Sequence, residues 1–493
     1  LEVGTKGGRL KEGRGIAAIP TEMRSIWAGR IDRVRTNDES GAYWVDALQG
    51  LALARVSLTR PVLEAAAAVS GEAIDDAVGA WEREGLLIQD PDESIRFCHS
   101  EIAQEVAGQV SADAAVRWNV VWAAALQRAE DEVKGQFGLE RGLHLQAAGE
   151  HEQALVALLA GAEAAHDLGD ALRCSAAAAE AEAMARLQGD HIRLAWALRW
   201  RGAGEIDAGQ VDVAERLLEQ ARELFEAERV LVGLGWTLDA LAWAKIYKAD
   251  YESAVELTTV AAEAFRRARD EAGLASALGT LGFSLARVGR HAEARTVLRE
   301  AEGVARRSGD ARALSGALQG QAESARYQGE LDEAEQWYEA ALKIATDSFR
   351  AAVPAIHDGL GLVALARRDL ETSRDHLERA LEQARIEGQE RLDALYSADL
   401  AAVLLLAGDD AAAGELIERA ERGAAKLDRV DEHMQWSLER ALTPEAATRA
   451  PELVARAGEL AARLWDRLGR PSEAGRVLRR LEDLRVIDKD RSS

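Results

Sequence analysis

Between about residue 133 and residue 485 the apolar positions recur at helical spacing rather than in the alternation of strands. A two-residue turn breaks the runs at regular intervals: Gly209-Gln210, Ala249-Asp250, Gly289-Arg290, Gly329-Glu330, Arg368-Asp369 and Gly408-Asp409. Successive turns lie 40, 40, 40, 39 and 40 residues apart. Seven places before each turn sits a small residue: Gly202, Ala242, Gly282, Ala322, Gly361 or Ala401. Five places after it stands Ala214, Ala254, Ala294, Ala334, Ser373 or Ala413, and twelve after it Ala221, Ala261, Ala301, Ala341, Ala380 or Ala420. Nine places after it the residue is large (Leu218, Leu298, Tyr338, Leu377, Ile417), with Thr258 the exception.

This order describes helix packed on helix. Small residues at fixed places let two antiparallel helices approach closely, and the large residue between them fills the gap. One such pair cannot bury its apolar face alone, so stacked pairs share a continuous core. The pattern resembles the tetratricopeptide repeat, including Leu198, Leu238, Leu278 and Leu318 four residues before the first small position. It departs in length, because the usual repeat has roughly 34 residues. Six more residues per repeat lengthen the helices by about 9 Å in total. Gly149, with Gly142, Ala154, Leu158 and Gly161, extends the match upstream; Gly469, with Ala462, Ala474, Leu478 and Leu481, extends it downstream. The longer steps from Gly149 to Gly209 and from Gly408 to Gly469 predict one inserted helix each, near 171–188 and 428–443. The expected fold is all-α: a right-handed tetratricopeptide-like superhelix over 133–485, ending in a disordered tail over 486–493.

The first 130 residues are out of phase with the repeat. Helices are expected over 43–54, from Pro61 after Thr59, and over 71–84. Gly85-Leu86-Leu87-Ile88-Gln89 and Ile95-Arg96-Phe97 then flank a polar turn, which reads as a hairpin. The run from Ala80 to Val106, with Gly85-Leu86-Leu87, Phe97-Cys98-His99, Glu101 and Glu105, resembles the winged helix that follows the nucleotide-binding domain of STAND signal-transduction ATPases. The resemblance implies a winged-helix domain over 37–132, preceded over 1–36 by the tail of an ATPase domain in which Ile19-Pro20-Thr21 opens a basic helix. The order winged helix, then repeats, is similar to bacterial maltose-regulator-like activators and kinase–ATPase–repeat proteins. It implies ATP and magnesium only upstream, beside a Ser/Thr kinase or a transcriptional effector, with no cofactor in this chain. Because the chain starts at Leu1 and not Met, it is expected to be a fragment.

Composition narrows the classes. The 493 residues include 85 acidic and 61 basic, a net charge of −24, which disfavours non-specific nucleic-acid binding. Two cysteines make no disulfide framework and fit a reducing, cytoplasmic setting. No apolar run is long enough to span a membrane. No G-x-x-x-x-G-K-[ST] occurs, since Gly4-Thr5-Lys6-Gly7-Gly8 lacks its spacing, and no kinase signature occurs. Catalysis by this chain is therefore not expected. Cys98, His99 and Glu101 read as packing, not as a metal set; His144, His151 and His166 read as surface or packing residues and Cys174 as apolar filler. Glu215, Glu219 and Glu223 with Arg216 and Arg222 read as a solvated ion-pair face.

The candidate site is the concave wall implied by the repeat resemblance, formed by the first helix of each pair. Its offsets give Trp196, Arg199, Trp236, Asp239, Trp243, Tyr247, Phe283, Arg287, Gln319, Glu323, Arg326, Tyr327 and Asp358. Six are aromatic in a chain that is 5% aromatic, the composition of a binding surface for a protein or small-molecule effector. The competing reading is that the rings fill gaps between Ala-rich helices. Two other functional readings stand beside the sensor arm of a larger STAND-type ATPase. One is a transcription-regulator fragment whose winged helix contacts DNA, against which Glu72, Asp75, Asp76, Glu82 and Glu84 outnumber Arg83 on the would-be recognition helix. The other is a free-standing scaffold for protein–protein interaction.

Overall fold

The computed structural model describes residues 21–37, 41–70, 74–91, 94–130, 137–348, 350–386, 389–427 and 432–486. The expected junction at 132/133, Gly4–Gly8, Glu72 and the tail from 487 lie outside these. The chain divides into two compact units, 1–154 and 155–493.

The first unit contains α1 (Thr21–Asn37), α2 (Gly41–Leu53), α3 (Arg60–Ser70), α4 (Ile74–Arg83), β1 (Leu87–Gln89), β2 (Ile95–Phe97), α5 (Ser100–Gly108), α6 (Ala112–Glu130) and α7 (Gly138–Ala147). The two strands pair antiparallel with Ile88 opposite Arg96, and Leu58 adds one further bridge to Ile95. Leu48, Trp81, Leu86, Leu87 and Trp122 are fully buried at the centre. Trp27, Ile31 and Val34 of α1 enter the same core, so residues 21–36 of the segment expected to belong to a preceding domain pack within this unit; its residues 1–20 lie outside the described ones. His144 is wholly buried, its Nδ1 2.7 Å from Asn119 Oδ1 and its ring stacked on Trp122. It is a packing residue, and burial, then the charge of Arg55, pushes its pKa down to about 3.

The second unit takes in the rest of α8 (His151–Asp167) and then α9 (Ala171–Gln188), the inserted helix at its expected place. Five long pairs follow: α10 (His191–Asp207) with α11 (Val211–Glu228), α12 (Leu231–Tyr247) with α13 (Tyr251–Ala268), α14 (Glu271–Arg287) with α15 (His291–Ser308), α16 (Ala311–Gln328) with α17 (Leu331–Ser348), and α18 (Val353–Ala366) with α19 (Leu370–Ile386). Then come α20 (Glu390–Ala407), α21 (Asp410–Ala424), α22 (Glu432–Arg440), α23 (Pro444–Arg449), α24 (Pro451–Arg467) and α25 (Pro471–Asp483). The second insertion is shorter than expected. Its helix stops at Arg440, and Thr443 caps a separate short helix through the Ala446 amide, which Pro444 at its start favours.

The periodic turn has a backbone cause. Its first residue is left-handed in every repeat: Gly209 at φ 77°, Ala249 at 55°, Gly289 at 82°, Gly329 at 76°, Arg368 at 62° and Gly408 at 91°. Glycine takes that conformation freely, while Ala249 and Arg368 each accept about 1 kcal/mol of strain. Asp190, Asp270 and Asp310, spaced by the repeat, each accept a backbone N–H three residues on, at 2.9, 3.0 and 2.9 Å, and so start the next helix. Small and large positions interlock as the spacing predicts. A Cβ on Gly202 would stand 2.6 Å from Leu218 Cγ, and one on Gly361 2.8 Å from Leu377 Cγ. Leu298, fully buried, fills the space left by Gly282 of α14 and by Gly320 of α16.

First helices also pack on one another along the row, α10 on α12, α12 on α14, α14 on α16 and α16 on α18. Each second helix packs between first helices, which makes the first helices the inner layer of this unit. The row winds back on itself. Gln210 Nε2 donates to the Lys426 carbonyl at 3.2 Å, and Arg470 Nη2 to the Ala249 carbonyl at 3.1 Å. Gly209 abuts Leu427 so closely that any side chain there would overlap it. One superhelical turn thus closes within 216–221 residues. Glu215 corrects the expected solvated face: it reaches from α11 to Lys245 at 2.5 Å and to Lys248 at the end of α12, and joins two helices.

Candidate functional site

The inner layer carries polar and charged side chains where an Ala-rich core would carry none. Three residues before the small position stand Arg199, Asp239, Gln319 and Asp358, on α10, α12, α16 and α18. Arg199 is 6% exposed, its guanidinium 3.6 Å from the centre of the Trp200 ring and 5.7 Å from that of Trp236. Its Nε and Nη1 are buried with no hydrogen-bond partner among the described residues. Burial pushes its pKa down to about 10. Asp239, on the next first helix, accepts from Ser276 Oγ at 3.2 Å on one oxygen, and its Oδ1 has no hydrogen-bond partner among the described residues. Burial raises its pKa, more than Thr280, Ser276 and Arg199 lower it.

A second group spans α14, α16 and α22. Arg287 donates to the Tyr327 hydroxyl at 2.7 Å and also to Tyr251 and Glu432. Arg326 pairs with Glu323 at 2.6 Å and lies 4.6 Å from the Tyr327 ring, while the Tyr338 hydroxyl donates to Glu323. Burial works against the Glu323 carboxylate, but Arg326 and Tyr338 outweigh it and hold its pKa low. Arg287 to Glu432 joins residues 145 apart in sequence, so this cluster also ties the superhelical turn together.

The predicted rings divide. Trp196 packs edge-on against Phe225 at 5.1 Å and Trp236 against Phe265 at 5.2 Å; both are half-buried against second helices. Trp243 lies 6.0 Å from Tyr247 and 5.9 Å from Phe283, a patch on α12 and α14, with Arg391 of α20 4.3 Å from the Tyr247 ring. Tyr327 is 39% exposed and Gln319 half-buried. The thirteen residues are therefore not one patch. Arg199, Asp239, Trp196 and Trp236 form one stretch of wall, and Arg287, Glu323, Arg326 and Tyr327 form another.

Asp358 leads to residues the offsets missed. It faces Asp399 of α20 and His433 of α22. His433 Nε2 is 3.2 Å from Asp399 Oδ1 and 4.0 Å from Asp358 Oδ2. Asp399 interrupts the apolar run of α20, a signal visible in the sequence. Glu432 and His433 sit on the inserted helix, where the repeat sets no register. Elsewhere, an open surface depression of about 570 Å³ runs along α18 and α19, lined by His357, Asp375, Glu378 and Arg379. Asp375, Glu378 and Arg379 are exposed there, whereas the buried charges without hydrogen-bond partners among the described residues lie on the inner layer.

Residues 273–347, from α14 through α17, match the sequence profile of the tetratricopeptide repeat. The fold is tetratricopeptide-like. Similar solved structures include a Signal Transduction ATPase with Numerous Domains (STAND) protein with a tetratricopeptide repeat sensor from Pyrococcus horikoshii. It is 14% identical, with 90% of this chain and 65% of that chain covered, at a TM-score of 0.52. A Rap protein complexed with Competence and Sporulation Factor is 15% identical, covering 76% and 97% at 0.49. Aspartyl phosphate phosphatase F from Bacillus subtilis is 14% identical, covering 76% and 98% at 0.46. At 14% identity the likeness to the Pyrococcus structure is one of fold. None of the curated proteins compared matches the sequence. No helix among the described residues is long and apolar enough to cross a membrane.

Proposed function

We propose that this chain is the sensing arm of a larger STAND-type signalling ATPase, and that the inner layer of its second unit takes a protein or small-molecule effector. The observation that carries the reading is the row of buried, incompletely paired charges at one repeat offset, above all Arg199 and Asp239. Such groups cost the free fold several kcal/mol and serve no packing purpose that Leu or Met would not serve better. A bound effector supplies their missing partners. The rings of Trp196, Trp236, Trp243 and Tyr247 flank the row and add apolar contact of the kind found at recognition hot spots.

The upstream attribution draws on the first unit. Its hairpin, the Leu58 bridge and helices α2 to α4 fit a winged helix, and Gly85-Leu86-Leu87 and Phe97-Cys98-His99 resemble the STAND module. The likeness to the Pyrococcus protein contributes a shared fold. In this reading the ATPase lies upstream, with ATP and magnesium, and the arm restrains it until the effector binds. The chain itself is neither an enzyme nor a membrane protein and works in the cytoplasm. DNA contact by the first unit is disfavoured, because Asp76, Glu82 and Glu84 crowd α4 and its end beside a single Arg83.

The upstream coding sequence tests the attribution: a phosphate-binding loop before Leu1 supports it, and a nearby start codon leaves a free-standing scaffold instead. Purified chain should bind no ATP, and stoichiometric ATP binding would overturn the assignment of nucleotide chemistry to another domain.

A further inference from the structure

We propose that Asp358, Asp399 and His433 form a site for one divalent transition-metal ion of the zinc or manganese class. The three residues come from α18, α20 and α22, and one ligand atom of each lies within 4.8 Å of the other two. Bonds of about 2.1 Å in a tetrahedral site place ligand atoms about 3.4 Å apart. The His433–Asp399 separation of 3.2 Å already fits, and the 4.0 Å to Asp358 closes with a small side-chain movement.

The second observation is Asp358 itself. It is 7% exposed, makes no hydrogen bond among the described residues, has its Oδ1 buried and unpartnered, and its other oxygen faces His433. Asp399 is 1% exposed and its Oδ2 has no hydrogen-bond partner among the described residues, although its Oδ1 accepts from Ser437 and lies 4.0 Å from Arg440 Nη1. Glu323 and Arg326 of α16 also act on Asp358, with opposing charges that cancel in sign. The two adjacent buried carboxylates share one imidazole, with Arg440 at the edge of Asp399 and the Arg326 charge offset by Glu323. A divalent ion between the three ligands supplies two positive charges to the two buried carboxylates, and ligands must shed any proton to bind it. One imidazole nitrogen with two carboxylates suits zinc or manganese better than calcium, which takes six or more oxygens.

The placement gives the ion a role. Helix α22 is the insertion that breaks the repeat, and its neighbour residue Glu432 reaches Arg287 across the superhelical turn. An ion on His433 pins this helix to the two first helices beside it.

The test titrates zinc chloride, and separately manganese chloride, into the tag-free full chain, followed by calorimetry and thermal melting. The expected result is one ion per chain and a melting temperature several degrees higher. Asp358→Asn removes a ligand along with a buried carboxyl that has no hydrogen-bond partner among the described residues. It should therefore fold and melt no lower than wild type without metal, while its affinity falls about 10–100-fold; His433→Ala should lose affinity comparably. Absence of saturable binding for both ions overturns the proposal, as does wild-type affinity in both variants. Binding abolished by His376→Ala but kept by His433→Ala also overturns it, because that places the ion at the His357–His376 pair, whose Nδ1 atoms are 3.0 Å apart.

Discussion

Arg199→Met separates recognition from packing. If Arg199 were there for the fold, removing its charge would weaken the second unit. The structure argues the reverse. Arg199 is 6% exposed, two of its nitrogens lack hydrogen-bond partners among the described residues, and burial brings its pKa from the ordinary range near 12.5 down to about 10. At about 1.4 kcal/mol per pKa unit, holding the charge inside costs about 3 kcal/mol. The sign follows from linkage: a cationic group with a depressed folded pKa destabilises the fold at every pH below that value. Stacking on Trp200 at 3.6 Å returns about 1–2 kcal/mol. Methionine keeps most of the volume and needs no partner. The variant should gain about 1–2 kcal/mol, read as a higher urea midpoint with an unchanged slope. A loss of more than about 1 kcal/mol would show that Arg199 is a satisfied structural residue and would remove the main support for an effector site.

Leu298→Ala empties the space bounded by Gly282 and Gly320 and should cost about 2–5 kcal/mol by urea unfolding; a cost under about 1 kcal/mol would contradict the interlock. His144 is neutral in the folded first unit because its pKa lies near 3, while the unfolded chain protonates near 6.5. Its contribution is complete above that upper value and fades as pH falls toward 3, reaching about 2 kcal/mol of loss at pH 5. His144→Gln should therefore flatten the stability profile between pH 7 and pH 5, and an unchanged slope would refute the assignment. Trp236→Ala with Trp243→Ala should keep helicity by circular dichroism, cost about 1–3 kcal/mol per half-buried ring, and abolish effector response; collapse of the fold would assign both rings to packing.

The repeat was visible because its cause is local. A left-handed turn residue every 40 positions selects glycine, and the small–large interlock repeats with it. Ala249 and Arg368 show that the turn survives without glycine, so the period is clearer than any one residue. The charged row was also accessible, since Arg199, Asp239 and Asp358 share one offset. What the offsets could not give was closure. The Arg287–Glu432 and Gln210–Lys426 contacts join residues 145 and 216 apart, and they depend on superhelical pitch, which no single repeat encodes. The inserted helix lies outside the register, so Glu432 and His433 had no offset to place them. The aromatic signal overstated the wall, because Phe225 and Phe265 of the second helices take one side of Trp196 and Trp236.

The central claim is that the inner layer around Arg199 and Asp239 is a recognition surface. A random peptide library selected on the wild-type chain, with binders compared by fluorescence anisotropy on wild type and on Arg199→Met, tests it directly. The account predicts peptides whose affinity falls at least about tenfold in the variant, while the variant is as stable as wild type or more so. Binders that engage both proteins equally, or a selection that yields none, would contradict it.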